Sequence, residues 1–187
     1  MKRQIITFLA IASITISAIA RQPARGYRGF IDWSNSYRTT AVWGPSNRMS
    51  TFYTGFSTSH GYQLNPMFYI GAGLDYEYCS KISSNILALF AEGRADMQLG
   101  RYTPFGDIRL GYNFASGGGV YFSPSIGYRF NWGRKAGINL GLGLTLQGYS
   151  ADVYEIINNP NGYVISTKIG THHGAVAFFS FRVGIDF

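Results

Sequence analysis

Charged residues at every second position are the feature of this sequence best suited to specific chemistry. Glu92, Arg94 and Asp96 alternate with small residues, and Asp107 is followed two residues later by Arg109. Alternate residues of a β-strand lie on one face of a sheet, so each stretch brings its charges to one side. Arginine and carboxylate side chains gathered in this way form hydrogen-bonded ion pairs. The charged residues with this spacing are Arg28, Asp32, Asp75, Glu77, Glu92, Arg94, Asp96, Asp107, Arg109, Arg129, Arg182 and Asp186.

The sequence offers little for catalysis or metal binding. Nucleophilic catalysis needs a nucleophile, a base and an orienting acid within hydrogen-bond reach, and His60 has Thr58 but no acid on its strand face. His172 and His173 are neighbours, so on a strand they point to opposite faces and cannot chelate one ion together. Cys79 is the sole cysteine, which excludes an intramolecular disulfide. We therefore predict no enzyme activity, no cofactor and no metal site.

The elements that must position the charges are β-strands throughout. Beyond the N-terminal segment no stretch has a sustained helical period, whereas strict alternation recurs. In residues 137–147, for example, five aliphatic residues alternate with glycine and polar residues. The alternation predicts eight strands, at residues 27–38, 51–64, 68–79, 86–99, 102–114, 119–132, 136–151 and 171–187.

The lengths of the strands and of their connections indicate a membrane barrel. Each strand is long enough for the ~9 to 11 tilted residues that cross a bilayer. Connections at 65–66, 100–101 and 133–135 are short, and those between them are more variable or longer, as in outer-membrane barrels. The predicted fold class is all-β, an eight-stranded antiparallel up-and-down transmembrane β-barrel, with its N- and C-termini in the periplasm.

The charged face is assigned to the barrel interior. A soluble barrel carries Lys and Glu outside, but Lys is nearly absent from these strands, and Arg with Asp or Glu suits a narrow interior. The opposite face carries aliphatic residues with aromatic residues near the strand ends, as in an aromatic girdle. The girdle residues are Trp33, Tyr62, Phe68, Tyr78, Tyr112, Phe114, Phe130, Trp132 and Phe187. A soluble, lipocalin-like barrel is the alternative.

Eight strands leave room only for side chains, so we predict an interior plugged by ion pairs and without a continuous aqueous channel. If Gly100-Arg101 is a two-residue turn, Arg94 lies opposite Asp107 and Glu92 lies opposite Arg109.

Residues 1–20 have the features of a signal peptide. Lys2 and Arg3 precede a mostly apolar run that ends in Ala18-Ile19-Ala20, a small-x-small cleavage pattern. We therefore predict that residues 1–20 are cleaved and that residues 21–187 form one barrel domain. The formal charge of +7 becomes +5 once Lys2 and Arg3 are removed. No Lys/Arg-rich run indicates nucleic acid, and loops facing anionic lipid or lipopolysaccharide account for the basic balance.

Five segments resemble small outer-membrane, porin-like β-barrel proteins of Bacteroidota. They are GYQLNPMFYIGAGLDYEY (61–78), LALFAEGRADMQ (87–98), TPFGDIRLGYNF (103–114), GGVYFSPSIGYRF (118–130) and GINLGLGLTLQGYS (137–150). The resemblance covers most of the mature chain in order and implies an eight-stranded barrel in the Gram-negative outer membrane. It implies no activity. The chain departs from the usual pattern in a shortened turn near Gly100.

The longest connection, residues 152–170, contains two β-prone arms around Asn-Pro-Asn-Gly, so we predict that the last two strands continue above the membrane as a hairpin. A protruding edge can bind an extracellular protein by adding a strand, with Tyr154, Asn161 and Tyr163 as candidate contacts. The alternative is that this hairpin only shields the barrel mouth.

The last strand ends in a pattern that we interpret as a signal for the outer-membrane assembly machinery. Phe181, Val183, Ile185 and Phe187 lie on its lipid face. Together these features predict a monomeric outer-membrane barrel with a structural or surface-interaction role. A narrow transporter of small solutes and a lipid-A-modifying enzyme are the alternatives.

Overall fold

The computed structural model describes residues 25–43, 51–97, 102–115, 117–132, 136–158 and 164–187. Each strand pairs antiparallel with the next, and the last pairs with the first, so the sheet closes into a barrel in sequence order. The predicted all-β, eight-stranded antiparallel barrel is confirmed. Within these ranges no helix is long and apolar enough to cross a membrane. The strands are β1 (Gly26–Trp43), β2 (Phe52–Gln63), β3 (Phe68–Cys79), β4 (Ser84–Asp96), β5 (Tyr102–Asn113), β6 (Gly119–Trp132), β7 (Ala136–Asn158) and β8 (Val164–Asp186).

The strand bounds follow the prediction closely for β2, β3, β5 and β6, whereas β4, predicted at 86–99, spans Ser84–Asp96. β3 and β6 have the predicted bounds, whereas β1, β7 and β8 are longer than predicted. β7 and β8 continue as the hairpin predicted for residues 152–170, and the end of β1 follows β8 as far as the pair of Trp43 with Ala175. The predicted signal peptide and the turns at 100–101 and 133–135 lie outside the described residues.

The two faces of the sheet have opposite chemistry. Along β3, residues alternate between buried and exposed, with Asp75 and Glu77 buried and Leu74 and Tyr76 exposed. The buried side is the barrel interior. The exterior carries large apolar side chains, among them Phe52, Phe56, Ile70, Leu74, Leu89, Ile108, Leu110, Ile126, Leu142, Leu144, Phe179 and Ile185.

The connections give the barrel two distinct ends. At the turn end, where residues 25 and 187 also lie, the Asn65 side chain accepts hydrogen bonds from the N–H groups of Met67 and Phe68, both at 2.8 Å. This side-chain bonding favours a tight turn. At the opposite end, the loop end, Gly117 and Gly118 have φ of +94° and +62°, conformations that glycine adopts without strain.

The predicted aromatic girdle is correct in its face and wrong at one position. Tyr62, Phe68, Tyr78 and Phe130 point outward near strand ends. Trp33 also points outward but lies in the middle of β1, paired with Phe56 and Val183, away from both strand ends. The Trp132 side chain lies outside the described part of the chain.

Candidate functional site

The barrel interior contains the charged residues singled out in the sequence. All twelve are buried, with 1% to 7% of each residue exposed. They come from six strands, because every strand except β2 and β7 contributes at least one and β4 contributes three. They divide into three layers between the turn end and the loop end: Arg28, Arg94, Asp96, Arg129 and Asp186; then Asp32, Glu92, Asp107, Arg109 and Arg182; then Asp75 and Glu77.

The layer at the turn end is a chain of shared ion pairs. Asp186 accepts from Arg129, with Nη2 to Oδ2 at 2.7 Å, and also from Arg28 at 3.3 Å. Asp96 accepts from Arg28 and from Arg94, the latter with Nε to Oδ1 at 2.7 Å. Three arginines therefore share two carboxylates. Because each carboxylate bridges two cations, the layer links β1, β4, β6 and β8.

The middle layer crosses the barrel. Arg109 on β5 bonds Asp32 on β1, with Nη2 to Oδ2 at 2.6 Å, and lies 3.5 Å from Glu92. Arg182 on β8 bonds Asp107 on β5, with Nη2 to Oδ1 at 2.8 Å. β1 and β8 are not neighbours of β5 in the sheet. The pairs Arg109–Asp32 and Arg182–Asp107 are therefore struts across the interior.

The third layer is acidic. Tyr121 donates to Asp75 Oδ2 at 2.9 Å, and Ser36 donates to Glu77 Oε1 at 2.9 Å. Among the described residues neither carboxylate forms an ion pair. The interior is therefore richest in arginine at the turn end and holds carboxylates without arginine toward the loop end.

Aromatic rings fill the space between the charges. The Arg94 guanidinium lies 3.6 Å from the ring centroid of Phe105, and the Arg109 guanidinium lies 4.8 Å from that of Phe90. Phe30 lies under two guanidinium groups. Such cation–π contacts are favourable where both partners have left water. Sequence reasoning missed these rings, although Phe30, Phe90 and Phe105 share the strand parity of the charged set.

An apolar cluster packs around the acidic layer, where the register sets Ile86 opposite Glu77 and Ala88 opposite Asp75. Its buried members are Tyr53, Cys79, Ile86, Ala88, Phe90, Tyr121, Val176 and Phe178. Cys79 is fully buried within it as a free thiol. The cluster accounts for Cys79 as a packing residue.

A cavity among the middle-layer arginines shows how little free space remains. Asp32, Arg94, Asp107, Arg109 and Arg182 line a space of about 10 Å³. A volume of that order holds about one water molecule. At this level the interior has no room for a hydrated solute.

The predicted register between β4 and β5 is confirmed. Glu92 lies opposite Arg109, and Arg94 lies opposite Asp107. Only the first pair comes close, at 3.5 Å, because Arg94 instead binds Asp96 on its own strand. Arg94 also donates to Asn139 Oδ1 at 2.7 Å.

The histidines lie outside the barrel. The Tyr27 hydroxyl is 2.6 Å from His60 Nδ1, and Thr58 Oγ1 is 3.0 Å from Nε2. Ser150 Oγ is 2.9 Å from His173 Nδ1. Within the described residues, these contacts include no acid that orients either histidine.

The ribbon, residues 151–158 and 164–172, is a two-stranded continuation of β7 and β8. Its backbone pairs run from Ala151 with His172 to Asn158 with Val164, with a register shift next to Val153. β6 last pairs with β7 at Gln147, and β1 last pairs with β8 at Ala175. In the described chain the ribbon's strands therefore pair only with each other.

The candidate partner contacts and assembly residues are placed as follows. The Tyr154 backbone pairs with Lys168, whereas Asn161 and Tyr163 lie outside the described residues. Phe181 and Ile185 are exposed on the outer wall, and Val183 and Phe187 are half-buried there.

Fold and interior together define the class: a small, closed, eight-stranded barrel with an ion-paired interior and an apolar exterior. No protein-family model and no curated protein sequence matches the chain. The solved structures similar to it include Neisserial surface protein A, with a TM-score of 0.62 at 12% identity over 88% of this chain and 98% of that one.

The outer membrane protein OprG from Pseudomonas aeruginosa is also similar, with a TM-score of 0.51 at 10% identity over 86% of this chain and 94% of that one. Both neighbours are small outer-membrane barrels, so the resemblance to that class holds at the level of the fold. The narrower resemblance to proteins of Bacteroidota finds no support in these comparisons and stays a prediction.

Proposed function

We propose that the protein is a monomeric, non-enzymatic barrel of the Gram-negative outer membrane that holds the ribbon outside the cell as an interaction element. The observation that carries this proposal is the ribbon itself, whose two strands leave the barrel wall and pair only with each other in the described chain. Eight residues of strand extend roughly 25 Å.

The exterior supports a location in lipid. Leucine, isoleucine and aromatic side chains cover the outer wall, and Ile126, for example, is 73% exposed. Monomeric soluble proteins rarely expose apolar patches of more than a few hundred Å². Lipid and lipopolysaccharide are therefore the proposed surroundings of the wall, with the turn end in the periplasm.

The interior supports a structural role for the barrel in place of transport. Struts such as Arg109 to Asp32 cross it, the cavity among them holds about one water, and an apolar cluster packs around the acidic layer. The barrel then acts as a rigid anchor. In this proposal the ribbon binds an extracellular protein by adding a strand to its unpaired edge.

Replacing residues 153–170 by Asn-Gly, a two-residue hairpin turn between the paired residues Asp152 and Thr171, tests the ribbon's role. Cells carrying the full chain or this variant at matched surface levels are compared for retention on protein-coated surfaces. A photo-crosslinker at Ile169, which is 61% exposed, is compared with one at Ile126 on the outer wall. We expect retention only when the ribbon is present. We expect a crosslink to an extracellular protein from Ile169 and none from Ile126. Equal retention would reject the interaction role.

A further inference from the structure

The seam between β1 and β8 continues one pair beyond Asp186. Gly29 N–H donates to Phe187 O at 2.9 Å, and Phe187 N–H donates to Gly29 O at 3.0 Å. This reciprocal pair follows directly on the pair of Phe30 with Asp186. Phe187 is therefore tied to the first strand at the turn end.

The ring of Phe187 lies over Gly29. A Cβ atom added to Gly29 would come within 2.8 Å of Cε2 and Cζ of that ring, closer than real Cβ contacts. Gly29 has the outward parity of Tyr27 but is buried, because the ring covers it. An aromatic ring laid across a strand glycine is a known stabilising arrangement in sheets.

His60 forms the other side of this arrangement. It pairs with Gly29 across β1 and β2, and its ring centroid lies 6.4 Å from that of Phe187 and 6.1 Å from that of Tyr27. The contacts of its two nitrogens with Tyr27 and Thr58 fix the ring's orientation. The Phe187 ring thus rests against residues of both β1 and β2.

We propose that Tyr27, Gly29 and His60 form a seat for the Phe187 ring, and that seating the ring latches the closed barrel. Closure brings together the two strands farthest apart in sequence, which is entropically costly. Contacts made only at the seam stabilise the closed state selectively. Resting on the proposed function, we further infer that a seated ring is no longer available to the assembly machinery, so seating releases the finished barrel.

Folding into phosphatidylcholine vesicles, without any assembly machinery, tests the latch. The variants are Gly29→Ala, Phe187→Ala and the double variant, with Gly93→Ala as the matched control. Gly93 is an outward glycine whose added Cβ meets nothing within 4 Å. The folded fraction is measured by heat-modifiable gel mobility across a urea series.

We expect each single change to lower the folded-to-unfolded ratio about 5- to 30-fold and Gly93→Ala to leave it unchanged. The double variant should lose less than the product of the two single losses, because the alanine methyl fits where the ring is missing. If Gly29→Ala fails to fold, recovery of folding in the double variant supports the latch equally. The latch would be overturned if the effects of Gly29→Ala and Phe187→Ala on the folded-to-unfolded ratio were independent, or if Gly29→Ala behaved like Gly93→Ala.

Release is tested separately in cells, with a photo-crosslinker at Phe181 on the last strand. We expect Gly29→Ala, which keeps Phe187, to prolong crosslinking to the assembly machinery relative to Gly93→Ala. If Gly29→Ala and Phe187→Ala are coupled in vesicles but crosslinking to the assembly machinery is unchanged, the latch stands and the release step is rejected. No coupling in vesicles, together with lower surface levels of Phe187→Ala, would reject the latch and leave the proposed assembly signal standing.

Discussion

Arg109 Nη2 lies 2.6 Å from Asp32 Oδ2, which joins β5 to β1 across the interior of the barrel. In a closed ring of eight strands these two lie on opposite walls. Both residues are buried, so the pair is shielded from water and salt. The contact shows that the interior is braced from wall to wall.

Arg109→Met tests the value of that brace. The change leaves Asp32 and Glu92 buried without their cation, and removing one partner of a buried pair costs about 3 to 5 kcal/mol. We expect the free energy of unfolding from lipid vesicles in urea to fall by that order. Arg25→Met, at an exposed arginine, should leave it unchanged. Equal stability of the two variants would show that the ion pair between Arg109 and Asp32 does not contribute to the free energy of unfolding.

Glu77→Gln and Asp107→Asn should change the free energy of unfolding in different ways. Glu77 accepts from Ser36 and forms no ion pair among the described residues, so an amide keeps the acceptor and leaves no arginine without its carboxylate. Asp107→Asn leaves Arg182 without its carboxylate. In the same urea assay we expect Glu77→Gln to be as stable as the parent or more so, and Asp107→Asn to be less stable. The opposite order would contradict the layered charge arrangement.

The base of the ribbon should respond to pH only under acid conditions. Hydrogen bonds from Lys168 and Thr171 lower the pKa of the Asp152 carboxyl. A lowered pKa means that the stabilisation is complete above the unfolded value, about 3.9, and is lost as the pH falls through the folded value. Cross-strand NOEs between Asp152 and Thr171 in micelles should persist from about pH 8 to pH 5 and weaken below about pH 4. Weakening near pH 6 would contradict this.

Removing the ribbon should not unfold the barrel. Its backbone pairs are confined to its own two strands in the described chain, so replacing 153–170 by Asn-Gly removes no pairing between β7 and β6 or between β8 and β1. We expect the heat-induced gel-mobility transition in detergent to shift by no more than a few degrees. A variant that no longer reaches the folded mobility would mean that the ribbon is part of the barrel's folding unit.

The sequence was sufficient for the faces of the strands, because a strand's period of two fixes which side chains share a side, and a turn length fixed the register between β4 and β5. A two-residue turn assumed at Gly100-Arg101 placed Arg94 opposite Asp107 and Glu92 opposite Arg109, as the structure has them. Parity also separated Arg182 and Asp186 from the outward Phe181 and Ile185.

The ion-pair partners of the interior arginines could not be predicted from the register of the strands. An arginine side chain is long enough to cross a narrow barrel, so Arg182 reaches Asp107 on a strand that is not its neighbour. Which cations share a carboxylate depends on the space left by rings such as Phe105, and on glycines. A Cβ added to Gly184, for example, would overlap Asp32. That space is a property of the closed barrel as a whole.

Single-channel recording in planar bilayers tests the central claim most directly. Purified, folded protein is added at matched amounts alongside an open porin as the positive control. Because struts cross the interior and its cavity among the arginines holds about one water, we expect no stepwise current from this barrel. Steady, ion-selective steps of uniform size from the unmodified protein would contradict the account and support the transporter alternative.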